Sequence, residues 1–201
     1  MTEADRPAAA EDVLAARREK LERLRGRGIE PFALRFDRDA TAAELAERHA
    51  GLEPGQDSGE TVRVAGRIMQ LRRLGKASFA VIRDASGDLQ LFLSEGTLGA
   101  DAYAGLEDLD LGDWLGAEGE VVRTKRGELS VRPTRLVLLT KALRPLPEKW
   151  HGLRDVELRF RQRYLDLAVN PEVRERALAK ARMLAAIRAV LDGRGFVEVE
   201  T

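Results

Sequence analysis

The chain has no cysteine and only two histidines, His49 and His151, in 201 residues. Disulfides and thiolate metal sites are thereby excluded, and the two imidazoles are too few and too far apart to suggest a metal centre. The N-terminus lacks the apolar core of a signal peptide, and no window is long and apolar enough to span a bilayer. The chain therefore reads as cytoplasmic. Net charge is also missing, since 34 Lys plus Arg balance 34 Asp plus Glu. That balance argues against a general polyanion binder but says nothing about local patches.

What is present is a packable core and charge laid down in runs. The hydrophobic fraction is 44%, and the charged fraction of 34% exceeds the usual quarter. Residues 17–27 carry Arg17, Arg18, Lys20, Arg23, Arg25 and Arg27 against Glu19 and Glu22. The stretch 95–113 holds Glu95, Asp101, Glu107, Asp108, Asp110 and Asp113 and neither Lys nor Arg. After Thr140 the balance turns basic again, through Lys141, Arg144, Lys149, Arg154, Arg159, Arg161 and Arg163. Each run taken singly reads as a solvated face. Basic residues of the first segment, such as Arg17 or Arg23, are also candidates for phosphate contacts.

Periodicity gives the organisation. After a polar tail over residues 1–10, a helix is expected from Glu11 to about Arg27, with Leu14, Leu21 and Leu24 near one face. Thr41 and Glu44 form a capping box for a short helix ending near Ala50, and 51–60 has a linker composition. From Thr61 the period becomes two, with Val62, Val64 and Ile68 alternating with Arg63, Arg67 and Met69. Further strands are expected at 76–84, 88–94, from Trp114 to Thr124 and from Glu128 to Leu139, with a partly helical acidic insertion between the third and fourth. Five strands with a helix at that insertion match an OB-fold barrel better than an SH3-like one, so the fold class is α+β. Pro145 and Pro147 mark a connector, followed by a short helix at about 156–168. Asn170 and Pro171 open a longer helix with Leu178, Ala181, Leu184, Ala185 and Ile187 spaced for one buried face. Gly193 and Gly195 end it, and the FVEVET stretch is expected to begin a strand with no partner. The domains so read are 1–60, a helical extension; 61–140, the barrel; 141–155, a linker; and 156–201, an unfinished second domain.

Strand parity points to the site. With Leu89, Leu91 and Leu93 facing inward, Gln90 and Phe92 face out, and the parity of Ser78, Ala80 and Ile82 puts Phe79 and Arg83 on the opposite face. An outer face with two phenylalanines and a glutamine is either covered by other parts of the protein or is a stacking platform for bases. Arg72 and Arg73, just before the second strand, are placed for phosphates or base edges, and Glu128 for accepting bonds from a base edge.

These residues lie in an ordered series of motifs. RVAGRIM (63–69), GKASF (75–79), DLQLF (88–92), LGDWLGAEGEV (111–121) and TKRGELSV (124–131) resemble the anticodon-binding domain of bacterial class II lysyl-tRNA synthetases. LLTKALRPLPEKWHGLRDVELRFRQRYLDL (138–167) is similar to that family's linker and the entry to its catalytic domain, and GFVEVET (195–201) to the start of motif 1. The resemblance covers about 11–201 and implies the front part of a lysine–tRNA ligase, truncated within motif 1. It implies that the platform receives the anticodon of lysine tRNA, with the central uridine stacked on Phe79, Gln90 and Glu128 at its polar edge, and Arg72 and Phe92 beside it. It also implies ATP and Mg as cofactors and a homodimer, both for the full-length enzyme. The chain departs from the family at Asp88, where a basic or neutral residue is usual, and at Phe160, where a tyrosine is usual. The motif 2 and motif 3 arginines are absent; Phe160-Arg161-Gln162-Arg163 lacks the glutamate of motif 2. No catalytic residue, cofactor or metal is therefore expected in this chain, and it alone is expected to bind tRNA without catalysis. Competing readings are a free-standing OB-fold tRNA-binding module, the same part of an aspartyl- or asparaginyl-tRNA synthetase, or of a lysyl-phosphatidylglycerol synthase.

Overall fold

The computed structural model describes residues 5–75, 77–146, 153 and 155–200, with side chains from Glu11 onward. Lys76 of the GKASF motif, much of the expected linker and Thr201 lie outside them. The chain forms two compact units, Met1–Pro145 and Leu146–Thr201.

The first unit opens with helix α1, Asp5–Gly26, which carries Arg23 and Arg25 in its last turn, where cations face the negative end of the helix dipole. Leu21 and Leu24 are buried, as their spacing predicts. Helix α2, Ala42–Arg48, has the expected capping box: Thr41 Oγ1 accepts from the Glu44 N–H, and the Glu44 carboxylate accepts from the Thr41 N–H.

Five strands follow: β1 (Asp57–Leu74), β2 (Ala77–Arg83), β3 (Asp88–Ser94), β4 (Trp114–Arg123) and β5 (Leu129–Thr140). β1 pairs with β2 and β4, β2 with β3, β3 with β5 and β5 with β4, so the ring of pairings closes. Every pair is antiparallel except β3–β5, which is parallel. Closure leaves no unpaired edge, and the inward rows of Val62, Val64, Ile68, Ala80, Ile82, Leu89, Leu91, Leu93, Val121 and Val131 fill the interior. β4 and β5 approach so closely at Gly119 that a Cβ there would lie 2.2 Å from the Arg132 carbonyl oxygen; only glycine fits.

Two details differ from the sequence reading of the first strand. It starts at Asp57 rather than Thr61, because a register shift between Asp57 and Thr61, with Gly59 at φ +73°, takes the Ser-Gly stretch into the strand as an irregular pair. A second shift between Ile68 and Gln70 breaks the parity, so Met69 is buried beside Ile68 instead of facing out with Arg67.

The acidic insertion folds as α3 (Glu95–Leu98), α4 (Ala100–Ala104) and a 3₁₀ turn, Gly105–Asp108. Asp101 and Glu107 are exposed, as a solvated face predicts, but Asp108, Asp110 and Asp113 are turned inward and paired. Lys20 Nζ pairs with Asp110 at 2.7 Å, and Arg23 and Arg27 both donate to Asp108. Lys141, at the end of β5, is buried with its Nζ 2.6 Å from Asp110 and 2.7 Å from Asp113. Asp113 also accepts from the backbone N–H groups of Asp110 and Ala142, which satisfies this fully buried carboxylate. Burial pushes the Asp110 carboxyl up, but the bonds and charges of Lys141 and Lys20 outweigh it and hold its pKa below the ordinary aspartate value. The basic run of α1 and the acidic run of the insertion are thus two halves of one clamp.

The second unit consists of α5 (Val156–Arg161), α6 (Arg163–Val169) and α7 (Pro171–Asp192), so the short helix expected at 156–168 is broken in two at Gln162. Its hub is buried Asp166, which accepts from Arg159, Arg163 and Asn170. Asn170 therefore does not cap α7 through its side chain, which is committed to Asp166 and to the Leu153 carbonyl. Leu178, Met183, Leu184, Ile187, Val190 and Leu191 of α7 are exposed within this unit. Residues 196–200 form no strand, contrary to expectation; an isolated extended segment has no neighbour to satisfy its backbone.

Candidate nucleic-acid interface

The outer face of β2 and β3 carries the site because of the pleat. Ser78, Ala80 and Ile82 point inward, so Phe79 emerges on the other side, and its register partner across β2–β3 is Phe92. The rings stack with centroids 5.3 Å apart and planes inclined by 22°. Arg72 is the register partner of Phe79 on β1 and is exposed beside it. On the far side, the parallel β3–β5 contact sets Gln90 opposite Ser130, and Glu128 stands exposed just before β5.

All five expected site residues, Arg72, Phe79, Gln90, Phe92 and Glu128, line one groove of about 590 Å³. Neither phenylalanine is buried under another element: both keep intermediate exposure. Gln90 is not an outer-face residue in the expected sense, however. It is only 8% exposed, because its Nε2 donates to Ser130 Oγ at 2.9 Å and draws the amide into the β3–β5 junction.

The readings of four individual charges change. Arg73 is absent from the groove: its guanidinium donates to the Leu106 and Leu109 carbonyls and holds the insertion. Arg17 is buried and donates to the carbonyls of Leu111, Ala142 and Arg144, so it offers nothing to a phosphate; Arg23 is committed to Asp108. Asp88 is paired with Arg83, whose Nη2 lies 2.7 Å from its carboxylate, so its negative charge is locally matched.

The groove also contains residues that strand parity did not single out: Asp57, Arg123, Lys125, Arg126 and Arg132. Arg132 is held by Asp57 and Glu120. Arg123 donates to the Gly127 and His49 carbonyls and so fixes the turn between β4 and β5, where Gly127 takes φ +87°. Lys125 and Arg126 at the tip of that turn are exposed and make no ion pair among the described residues; the same is true of Arg72. The adjacent Lys-Arg pair in a barrel turn was the available signal. A stacked aromatic floor rimmed by free cations suits a ligand that has both planar faces and negative charge.

Comparison with known proteins agrees with this fold. Residues 62–139 match the OB-fold nucleic acid binding domain family, and residues 155–201 match the class II tRNA synthetases for D, K and N. The chain is 51% identical over 185 residues to a lysine–tRNA ligase of Syntrophomonas wolfei, covering 92% of this chain and 36% of that protein. Over nearly its whole length the chain is thus similar to part of a class II lysine–tRNA ligase. The lysine–tRNA ligase of Moorella thermoacetica is 49% identical over 193 residues, 96% of this chain and 38% of that protein. That of Streptococcus mutans is 47% identical over 192 residues, 94% of this chain and 39% of that protein. The chain thus spans well under half the length of these curated lysine–tRNA ligases. Among the described residues no helix is long and apolar enough to cross a membrane.

Proposed function

We propose that this chain is the anticodon-reading part of a lysine–tRNA ligase and that its groove takes the unpaired anticodon bases of lysine tRNA. The observation that carries the proposal is the stacked Phe79–Phe92 pair in a groove whose rim holds Arg72, Lys125 and Arg126 without partners among the described residues. Phe79 receives the central base on its ring, Phe92 backs it, and Gln90 and Glu128 meet its polar edge. Arg72 and the β4–β5 turn hold phosphates. Such stacking accepts any base, so base-edge contacts must supply the sequence preference.

In this reading 1–60 is an N-terminal extension, 61–140 the anticodon-binding barrel, 141–155 a linker and 156–201 the beginning of a class II catalytic domain. ATP and Mg belong to the chemistry of the whole enzyme, a cytoplasmic homodimer; no step of that chemistry is assigned to a residue of this chain. The test has two arms. Titrating the chain with stem-loops of lysine tRNA and of tRNAs with unrelated anticodons is expected to show preference for the first; equal affinity for all would overturn the anticodon reading. Lysine-dependent ATP–pyrophosphate exchange by this chain is expected to stay at background, and exchange above it would refute the assignment of catalysis to the remainder of the enzyme.

A further inference from the structure

The Gln90 side chain raises a question of polarity: an amide has a donor end and an acceptor end of nearly equal shape, and which end faces a ligand decides what is read. Its neighbours answer it. Gln90 Nε2 and Ser130 Oγ are 2.9 Å apart, and Ser130 Oγ lies 3.2 Å from the Glu128 carbonyl oxygen. A serine hydroxyl has one proton. The Glu128 carbonyl, which also accepts from the Thr124 N–H, takes that proton on its second lone pair, and Ser130 Oγ accepts from Gln90. The nitrogen end of the amide is thereby held against Ser130, which is fully buried and is the register partner of Gln90. The Gln90 carbonyl oxygen accepts no hydrogen bond among the described residues and is not sealed from solvent, while Gln90 lines the groove.

We propose that Ser130 is a positioning residue that fixes the polarity of the Gln90 amide and thereby selects uridine over cytidine at the base seated on Phe79. What Gln90 has left for a ligand is its carbonyl oxygen and the second hydrogen of Nε2. Uracil presents an N3–H donor beside a carbonyl acceptor, which matches that pair. Cytosine presents an N3 acceptor beside an N4 amino donor, the reverse order. Reading cytosine requires the amide to turn over. Its oxygen would then face Ser130 Oγ, and the hydroxyl proton would have to leave the Glu128 carbonyl to meet it. The relay loses one hydrogen bond for the wrong base and none for the right one.

The inference rests on the groove being the anticodon site, and the experiment separates the two. Stem-loops identical except for U or C at the loop centre are titrated against the 201-residue chain and its variants. The unsubstituted chain is expected to prefer U, and Ser130→Ala to narrow the U-to-C affinity ratio by roughly two- to tenfold, the worth of one hydrogen bond. Ser130→Thr, which keeps the hydroxyl, is expected to preserve the ratio. Ser130→Cys, of similar size with a weak hydrogen-bonding group, is expected to narrow it and serves if Ser130→Ala loses its melting transition. An unchanged ratio in Ser130→Ala and Ser130→Cys, with Gln90→Ala still collapsing it, would overturn the role of Ser130 and leave the groove reading standing. No preference for U in the unsubstituted chain would overturn both.

Discussion

The first unit has two basic surfaces, and they have opposite fates. On α1, Arg17 is buried against three carbonyls, and Lys20, Arg23 and Arg27 are spent on Asp110 and Asp108. At the groove, Arg72, Lys125 and Arg126 are exposed with no ionic partner among the described residues. The denser run of positive charge is the one that serves structure. Whether a cation is free to meet a ligand depends on what the chain folds against it, here an acidic insertion some ninety residues away in sequence, as the Lys20–Asp110 pair records. A charge run is therefore a statement about a surface only after its complement has been sought elsewhere in the chain.

Four measurements break or sharpen this contrast. The largest effect is expected at Lys141, whose side chain is fully buried with that of Asp113. Lys141→Met strands buried carboxylates and is expected to cost about 3–5 kcal/mol in denaturant unfolding, with the folded fraction binding RNA normally. A loss under about 1 kcal/mol would mean the clamp is looser than drawn. Next, Phe79→Ala is expected to weaken stem-loop binding by roughly 1–3 kcal/mol, with the salt dependence unchanged because a ring neutralises no phosphate. A large fall in melting temperature with normal binding by the folded fraction would instead make Phe79 a core residue.

The third measurement sets the two surfaces side by side. Arg126→Ala or Lys125→Ala is expected to flatten the slope of log affinity against log salt by about 0.7 for each phosphate that is no longer neutralised. Arg23→Ala is expected to leave that slope alone and to register only in stability; the reverse pattern would make α1 the RNA-binding surface. The smallest effect concerns acid. The folded-state pKa of Asp110 is depressed, so its contribution is present above the unfolded-state value and is lost as pH falls through the folded one. The urea midpoint is expected to drop over that acidic window and to drop less in Asp110→Asn; parallel curves would remove Asp110 from the acid response.

Much of the site was legible in the sequence because period-two patterns are local: once Leu89, Leu91 and Leu93 are read as core, the face of Phe92 is determined, and Ala80 and Ile82 do the same for Phe79. Met69 was misread because a bulge inserts one residue and flips the parity beyond it, and no residue type marks that bulge. The burial of Gln90 was hidden for another reason. It depends on Ser130, forty positions later, through the parallel pairing of β3 and β5 that only closure creates. Arg17, Arg23 and Arg73 fall in the same class: their partners are carbonyls and carboxylates distant in sequence, in the insertion and, for Arg17, also just after β5. The FVEVET strand failed because a strand is a property of a pair and not of a segment.

The parallel pairing of β3 with β5 is short, with Gln90 against Ser130 and Leu91 against Val131 as its register. It is also the junction that turns an open sheet into a ring, and the proposed base-reading groove lies over it. A ligand held by Gln90 on one strand and by Glu128 at the head of the other would act as a clasp across the seam. Breathing of the barrel and release of the base then become one motion, so occupancy of the groove should slow amide exchange at residues 90–91 and 130–131 more than elsewhere in the sheet.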